Sequence, residues 1–288
     1  MQSTPERDTV TMRRFYDLSL EERLQQVGAE SGLAAEELAA LGGSAGLSPA
    51  QADHMIENVV GVYSLPLGIA RNFVVNGREV LVPMVLEEPS VVAGASFMAK
   101  LAKAGGGFTA SADEPHMIGQ MQIVELPDPA AARLRLLAEK DALLAEVARV
   151  DPVLARLGGG PVDLEVRLIE ESPVGPFLVL HLIYDVRDAM GANAINTATE
   201  RLTPSVQKIS GGRVHLRILS NLADRRLARA ACTIPLPQLA FNEFSAEQVR
   251  DGVIAAWAFA AADPYRAATH NKGIMNGVDA VVLATAND

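Results

Sequence analysis

The sequence predicts an α+β fold in which a large, mainly helical domain is interrupted by a smaller β-α-β-β-α-β domain. Three observations carry that prediction. Residues 117–219 alternate short extended apolar runs with two long stretches of helical period. The chain before them reads as short helices around a single hairpin. The chain after them returns to a helical pattern, with one further strand.

The elements follow in order. Ser19 and Glu22 have capping-box spacing, with Leu20, Leu24 and Val27 recurring on one face behind them. Ser48-Pro49 opens a second helix, since proline suits the first helical position. Asn76-Gly77 supplies the two positive-φ positions of a type I′ turn between strands Ile69–Val75 and Arg78–Leu86. Pro89-Ser90 starts a small-residue helix to about Ala104, ended by Gly105-Gly106-Gly107.

A strand at Met117–Leu126 then leads through Pro127 and Pro129 into one long helix, Ala130 to about Arg156. Leu134, Leu137, Leu144 and Val147 face inward on it. Gly158-Gly159-Gly160 stops that helix. Strands Val162–Glu170 and Phe177–Val186 come next, joined by Pro173, Gly175 and Pro176. A second helix runs from about Asp188 to Ile209 with Leu202, Val206 and Ile209 on one face, and Pro204 should kink it or end it early. Strand Val214–Leu219 closes the set after Gly211-Gly212. This is the split order of ferredoxin-like domains, so the inserted domain is assigned to residues 113–220, between large-domain segments 1–112 and 221–288. A strand near Ala228–Ile234 and a helix from Ser245 to about Ala262 resume the large domain.

Composition narrows the function. The chain has 288 residues, 49% of them apolar, enough for a sizeable core. A formal charge of −10 argues against nucleic-acid or anionic-membrane partners, which want a basic face. The single cysteine, Cys232, cannot form an intrachain disulfide and reads as a small buried apolar residue. The N-terminus has no signal-peptide core and no apolar run reaches membrane-spanning length, so a cytoplasmic protein is expected. The five histidines are scattered without metal-ligand spacing, and no Walker loop, nucleophile elbow or dinucleotide glycine fingerprint appears.

Four segments place polar residues where apolar ones would pack more cheaply. Glu87-Glu88-Pro89-Ser90 follows an apolar strand and opens a helix, as a carboxyl held beside a ligand with a raised pKa would. Asp188-Ala-Met-Gly-Ala-Asn193, with Asp188 as N-cap, starts a helix stripped of bulk, a natural place for dinucleotide phosphate. Asp263–Gly273 packs Arg266, Thr269, His270, Asn271 and Lys272 into a short loop. The chain end puts Asp288 after the apolar run Val278–Ala284, where it could pair with Lys272.

Taken together these segments resemble, in order and spacing, the signatures of the bacterial (second) class of 3-hydroxy-3-methylglutaryl-coenzyme A (HMG-CoA) reductases. The matching stretches are Met55-Ile-Glu-Asn-Val, Val82-Pro-Met-Val-Leu-Glu-Glu-Pro-Ser90, Asp185-Val-Arg-Asp-Ala-Met-Gly-Ala-Asn193, Leu219-Ser-Asn-Leu-Ala-Asp224 and Asp263–Asn276. The resemblance spans about Leu18 to Asp288.

It implies a reductase that converts HMG-CoA to mevalonate and CoA by two hydride transfers, or runs the reverse oxidation. Glu88 would be the catalytic acid, Lys272 the cation that meets the oxyanion, Asp288 its acidic partner, and Asn276 a support for that network. Ser90 and Arg266 would bind the substrate's free carboxylate. Asp151 would hold the adenosine ribose, with Asp188, Met190, Gly191, Ala192, Asn193 and Asn221 around the cofactor. A carboxylate at Asp151 repels a 2′-phosphate, so NAD(H) is expected over NADP(H). A homodimer or an assembly of dimers is implied, one subunit holding HMG-CoA while its partner presents the cofactor. Family members continue past the aspartate into a C-terminal flap bearing a histidine, so a truncated chain is expected here. A catalytically incomplete CoA- or dinucleotide-binding module is the competing reading.

Overall fold

The computed structural model describes residues 13–43 and 46–287. The chain divides into two compact units, Met1–Pro66 and Leu67–Asp288. In the first, helix α1 (Leu20–Ser31) carries the expected capping box: Glu22 N–H donates to Ser19 Oγ at 3.2 Å, and Ser19 N–H to Glu22 Oε2 at 2.7 Å. Helices α2 (Ala35–Leu41) and α3 (Pro49–Ala52) follow. Val27 and Gly28 are buried, but Leu20 is exposed, so the inward face of α1 is narrower than its apolar spacing implied.

In the second unit, β1 (Leu67–Val75) and β2 (Arg78–Val85) form the expected hairpin. Asn76 (φ 50°) and Gly77 (φ 78°) take the two positive-φ positions of its turn. Asn76 also ties the hairpin down, because its side chain exchanges two hydrogen bonds with the backbone of Ala110 (2.8 and 3.0 Å). Helix α4 (Val91–Lys103) packs on β1, and a short strand β3 (Phe108–Ala112) follows that the sequence did not announce. The sheet order is β2-β1-β3-β8, the last strand β8 being Ala228–Cys232. Pro83 is tolerated in β2 because that strand is an edge. Cys232 is exposed at the end of β8, against the expectation of burial, since only its antiparallel partner Phe108 faces it in the ladder.

The second sheet holds β4 (His116–Val124), β5 (Gly160–Ile169), β6 (Phe177–Asp185) and β7 (Arg213–Leu219) in the order β5-β6-β4-β7, every neighbouring pair antiparallel. That is the ferredoxin-like topology. The expected single helix between β4 and β5 is three: α5 (Pro129–Ala138), α6 (Lys140–Val147) and α7 (Pro152–Arg156). Pro152 forces the last break, pushing Asp151 into extended backbone at φ −122°, ψ 91°. The break at Glu139 has no signal in the sequence. The inner face is built by Ala132, Leu136, Leu143 and Val147, while Leu134 is exposed.

Helix α8 (Ala192–Ser210) starts four residues later than expected and runs through Pro204, which sits on its exposed side. There the carbonyl that loses its partner can turn to water. Leu202 and Val206 are buried and Ile209 packs on the same core. Helices α9 (Ala246–Ala262) and α10 (Pro264–Ala284) end the chain. Residues 264–273 are therefore helix, not loop: Asp263 caps α10 by accepting from Arg266 N–H at 2.7 Å, with Pro264 at the first helical position.

His181 is buried on β6, opposite Gln120 of β4 and Glu165 of β5. Gln120 Nε2 lies 2.9 Å from His181 Nε2, an amide donor facing a ring acceptor, which requires the neutral imidazole. Burial, helped by the Arg167 and Arg225 charges and opposed by Glu165 and Asp224, holds its pKa below the ordinary value. The unfolded chain therefore takes up a proton that the folded chain refuses, and stability falls as pH drops below about 6.5. In denaturant melts at pH 7.5 and 5.5, His181→Gln should lose less stability on acidification than the wild type; equal losses would exclude this role.

Candidate active site

The site is assembled by helix α10 lying along the β1–β2 hairpin. Ala280 of α10, Ala70 of β1 and Met84 of β2 are all at most 2% exposed and form the centre of this core, with Val82, Leu86, Val91, Val92 and Val281 around it. Four-residue spacing on α10 then carries Lys272 and Asn276 along one face toward the end of β2. Glu88 waits there. Lys272 Nζ donates to Glu88 Oε2 at 2.6 Å, and Asn276 Nδ2 donates to the same oxygen at 3.1 Å.

The expected raised pKa at Glu88 is not what the structure shows. The Lys272 hydrogen bond and charge, with a smaller contribution from Asn276, hold this carboxyl below the usual carboxylate range. The reason is exposure: Glu88 remains about half exposed, so desolvation cannot outweigh a cation in contact.

Behind Glu88 lies a cavity of about 200 Å³ lined by Val85, Leu86, Glu87, Asn276, Asp279 and Leu283, with Glu88 and Ala280 completing the wall. Asp279 was missed in the sequence. It falls three residues after Asn276 on the same helical face, a signal visible only once residues 264–284 are read as helix.

Ser90, two residues after Glu88, occupies the N-cap position of α4 but makes no capping hydrogen bond with its side chain. Its backbone is left-handed (φ 73°, ψ −14°), a conformation that costs an L residue roughly 1–2 kcal/mol and clusters at functional sites. Arg266 lies on the first turn of α10, half-buried, about 9 Å along the helix axis from Lys272 at 1.5 Å per residue. Asp288 lies outside the described residues.

The residues expected around a cofactor form a second group. Asp151 caps the short helix α7, its Oδ1 accepting from Val153 N–H (3.0 Å) and Leu154 N–H (2.9 Å). Asp188 is in a turn and is not the cap of α8; Gly191 is, in left-handed conformation at φ 96°. A Cβ on Gly191 would come within 2.6 Å of Val186, so its bareness serves close packing of the turn. With no side chain at the cap, the first N–H groups of α8 stay open to an acceptor, as a phosphate would need. Ala192 and Asn193 form that first turn, and Met190 is exposed before it.

Two arginines bind these pieces together, and neither was singled out in the sequence. Arg187 Nη2 donates to Gly158 O at 2.6 Å, linking the turn to the end of α7. Arg226 Nη1 donates to Met190 O at 3.3 Å, linking it to the loop that carries Asn221. Among the described residues no hydrogen bond or ion pair joins this group to the Glu88–Lys272–Asn276 group, and no cluster of His, Cys, Asp and Glu gathers as a metal site. No helix of the described residues is long and apolar enough to cross a membrane.

Residues 19–288 match the family described as hydroxymethylglutaryl-coenzyme A reductase. A 3-hydroxy-3-methylglutaryl-coenzyme A reductase of Archaeoglobus fulgidus is 50% identical over 274 residues, 95% of this chain and 61% of that protein. A probable reductase of the same name from Borreliella burgdorferi is 30% identical over 82% of this chain and 53% of its own length. The chain thus spans rather more than half the length of these relatives. Among solved structures, the reductase of Streptococcus pneumoniae superposes with a TM-score of 0.90 at 40% identity, covering 95% of this chain and 74% of that one. A class II enzyme from the same organism, bound to NADPH in open conformations, matches with a TM-score of 0.89 at 41% identity over the same shares. On fold, sequence and the spacing of its site, this chain belongs to the hydroxymethylglutaryl-coenzyme A reductase family.

Proposed function

We propose that the protein interconverts HMG-CoA and mevalonate plus CoA, using a nicotinamide dinucleotide. The observation that carries this reading is the convergence of Lys272 and Asn276 on one oxygen of Glu88. When bound, the cofactor supplies or accepts hydride. The chain's own residues do the rest. The Lys272 ammonium faces the thioester oxygen as negative charge develops there, a task in which a fixed cation in a dry site far outperforms water. Drawing Lys272 toward that oxygen removes the main cause of the low Glu88 pKa, so Glu88 can then hold a proton and donate it. Asn276 keeps Glu88 oriented through the exchange, and Asp288 holds Lys272 charged. Ser90 and Arg266 bind the free carboxylate of the substrate, Arg266 as a planar fork.

The dinucleotide is assigned to a domain spanning residues 113–220, with segments 1–112 and 221–288 forming the large domain. Asp151 takes the ribose; Asp188, Met190, Gly191, Ala192, Asn193 and Asn221 line the rest. The open N-terminus of α8 supports that assignment. NAD(H) is assigned as the preferred cofactor, because a carboxylate at Asp151 repels a 2′-phosphate.

The working unit is assigned as a homodimer. Helix α9 exposes Val253, Ile254, Trp257 and Phe259, and only Ala246 of its seventeen residues is buried. A helix so apolar is normally covered. The cytoplasm is assigned as its compartment, consistent with a single cysteine.

Lys272→Ala should lower HMG-CoA reduction by about a hundredfold or more while HMG-CoA still binds. The Glu88 carboxyl, followed by carbon NMR, should titrate higher in that variant than in the wild type. Wild-type turnover would remove Lys272 from the reaction. For the cofactor, the ratio of kcat/KM for NADH over NADPH should exceed one and fall in Asp151→Ala; a ratio that does not move would clear Asp151 of the choice. Sedimentation should give a dimer whose interface buries more than about 2,000 Å², and a monodisperse monomer at micromolar concentration would contradict the assembly.

A further inference from the structure

We propose that Asp185 and Arg187 form a positioning pair that holds the Asp151 corner and the Asp188–Asn193 turn at the separation a pyridine dinucleotide requires; this rests on the cofactor assignment above. Asp185 ends β6 and its side chain is 8% exposed. It is flanked in the sheet by His116 of β4 and Gly160 of β5. Both of its carboxylate oxygens are turned to one residue: Oδ1 accepts from Arg187 N–H at 2.9 Å, and Oδ2 pairs with Arg187 Nη2 at 2.9 Å. The same Nη2 donates to Gly158 O at 2.6 Å. One guanidinium nitrogen thus bridges a buried carboxylate and the carbonyl that follows α7.

The backbone of Arg187 shows that the side chain is the reason for the residue. Its φ is 53°, a region that glycine enters without strain and that other residues keep only when their surroundings over-determine them. A glycine there would serve the turn; the arginine adds the reach across to Gly158. The link continues into Asp151. Gly158 N–H donates to Ala155 O, Gly159 N–H to Leu154 O, and Leu154 N–H to Asp151 Oδ1, so Arg187 grips the far end of the same short helix that Asp151 caps. On the other side, Asp188 follows Arg187 directly and Gly191 closes the turn against Val186. With the pair intact, the carboxylate at 151 and the open N–H groups of α8 face a ligand from a fixed frame. Without it, the two segments lose the side-chain hydrogen bond that joins them, and a buried carboxylate loses its counter-charge.

Arg187→Gly tests the pair, because it relieves the backbone while deleting the bridge. Affinities for NADH and for HMG-CoA are measured by calorimetry on the whole protein, with thermal melting as the check on folding. Arg187→Gly should melt within a few degrees of the wild type, weaken NADH about tenfold or more, and leave HMG-CoA within about twofold. Arg187→Lys, which keeps the charge but not the fork, should fall between. Should Arg187→Gly fail to fold, the same two affinities of Arg187→Lys decide. Unchanged NADH affinity, or equal losses for both ligands, would overturn the positioning role. A wild type that binds HMG-CoA but no dinucleotide would overturn the cofactor assignment itself, and the pair with it.

Discussion

The distance between α10 and the β1–β2 hairpin is the constraint on which the site depends. It is set by Ala280 against Ala70 and Met84, which leave almost no surface to water. Small residues on facing elements let a helix approach a sheet closely, and interiors packed at crystal density transmit any change in that spacing. Lys272 and Asn276 ride on the helix while Glu88 lies three residues past the end of β2, so a bulkier residue at 280 would separate donors from acceptor without touching any of them. The hairpin is fixed in turn by Asn76, whose side chain behaves as an extra rung against β3. A two-stranded edge alone is marginal; the third strand and α4 make it a platform.

The two sheets are buried very differently. The β5-β6-β4-β7 sheet has a contiguous core, with Leu178, Leu180, Leu182 and Tyr184 of β6 inaccessible beneath α5, α6 and α8. The cluster at the β2-β1-β3-β8 sheet buries three residues, Ala70 and Met84 on its strands and Ala280 on α10, and α9 leaves its aromatic residues in water. The consequence for chemistry is direct. Lys272 and Glu88 meet in a half-open setting, where a contact at 2.6 Å is screened by solvent and contributes little. The same pair under a dry cover would interact several times more strongly.

Much of this was legible in the sequence, for reasons that differ by element. The hairpin was, because Asn76-Gly77 permits few turns. The ferredoxin-like order was, because its strands and helices change period between clear glycine and proline stops. The Glu88–Lys272–Asn276 cluster came from motif resemblance, and no local rule would have joined residues 184 positions apart. Two of the failures share a cause. Residues 264–273 looked like a loop because Arg266, Thr269, His270, Asn271 and Lys272 are polar, although Asp263-Pro264 is a helix start by its chemistry. Asp188 looked like a cap, whereas the turn prolonged itself to Gly191. In both cases tertiary context outweighed the local pattern. The raised pKa expected at Glu88 failed for a different reason: burial cannot be read from a carboxylate's neighbours in sequence.

Backbone strain marks both groups proposed to hold ligands. Of the eight non-glycine residues at positive φ among those described, four are asparagines, which tolerate that region. Ser90, Glu125, Arg187 and Ala286 are not so excused; of these, Ser90 is the N-cap of α4, the helix proposed for the carboxylate, and Arg187 opens the turn that leads through Gly191 into α8, the helix proposed for the dinucleotide. A residue held left-handed ahead of a helix turns the incoming chain sharply, so that the first turn of the helix faces outward from the strand that feeds it. At Ser90 this frees the hydroxyl from the capping duty a serine there would normally perform, leaving it for another acceptor or donor. At Arg187 it aims the guanidinium back across the turn to Gly158. In each place strain in the backbone sets the direction of one polar side chain, and that direction is the property a binding site needs fixed before its ligand arrives.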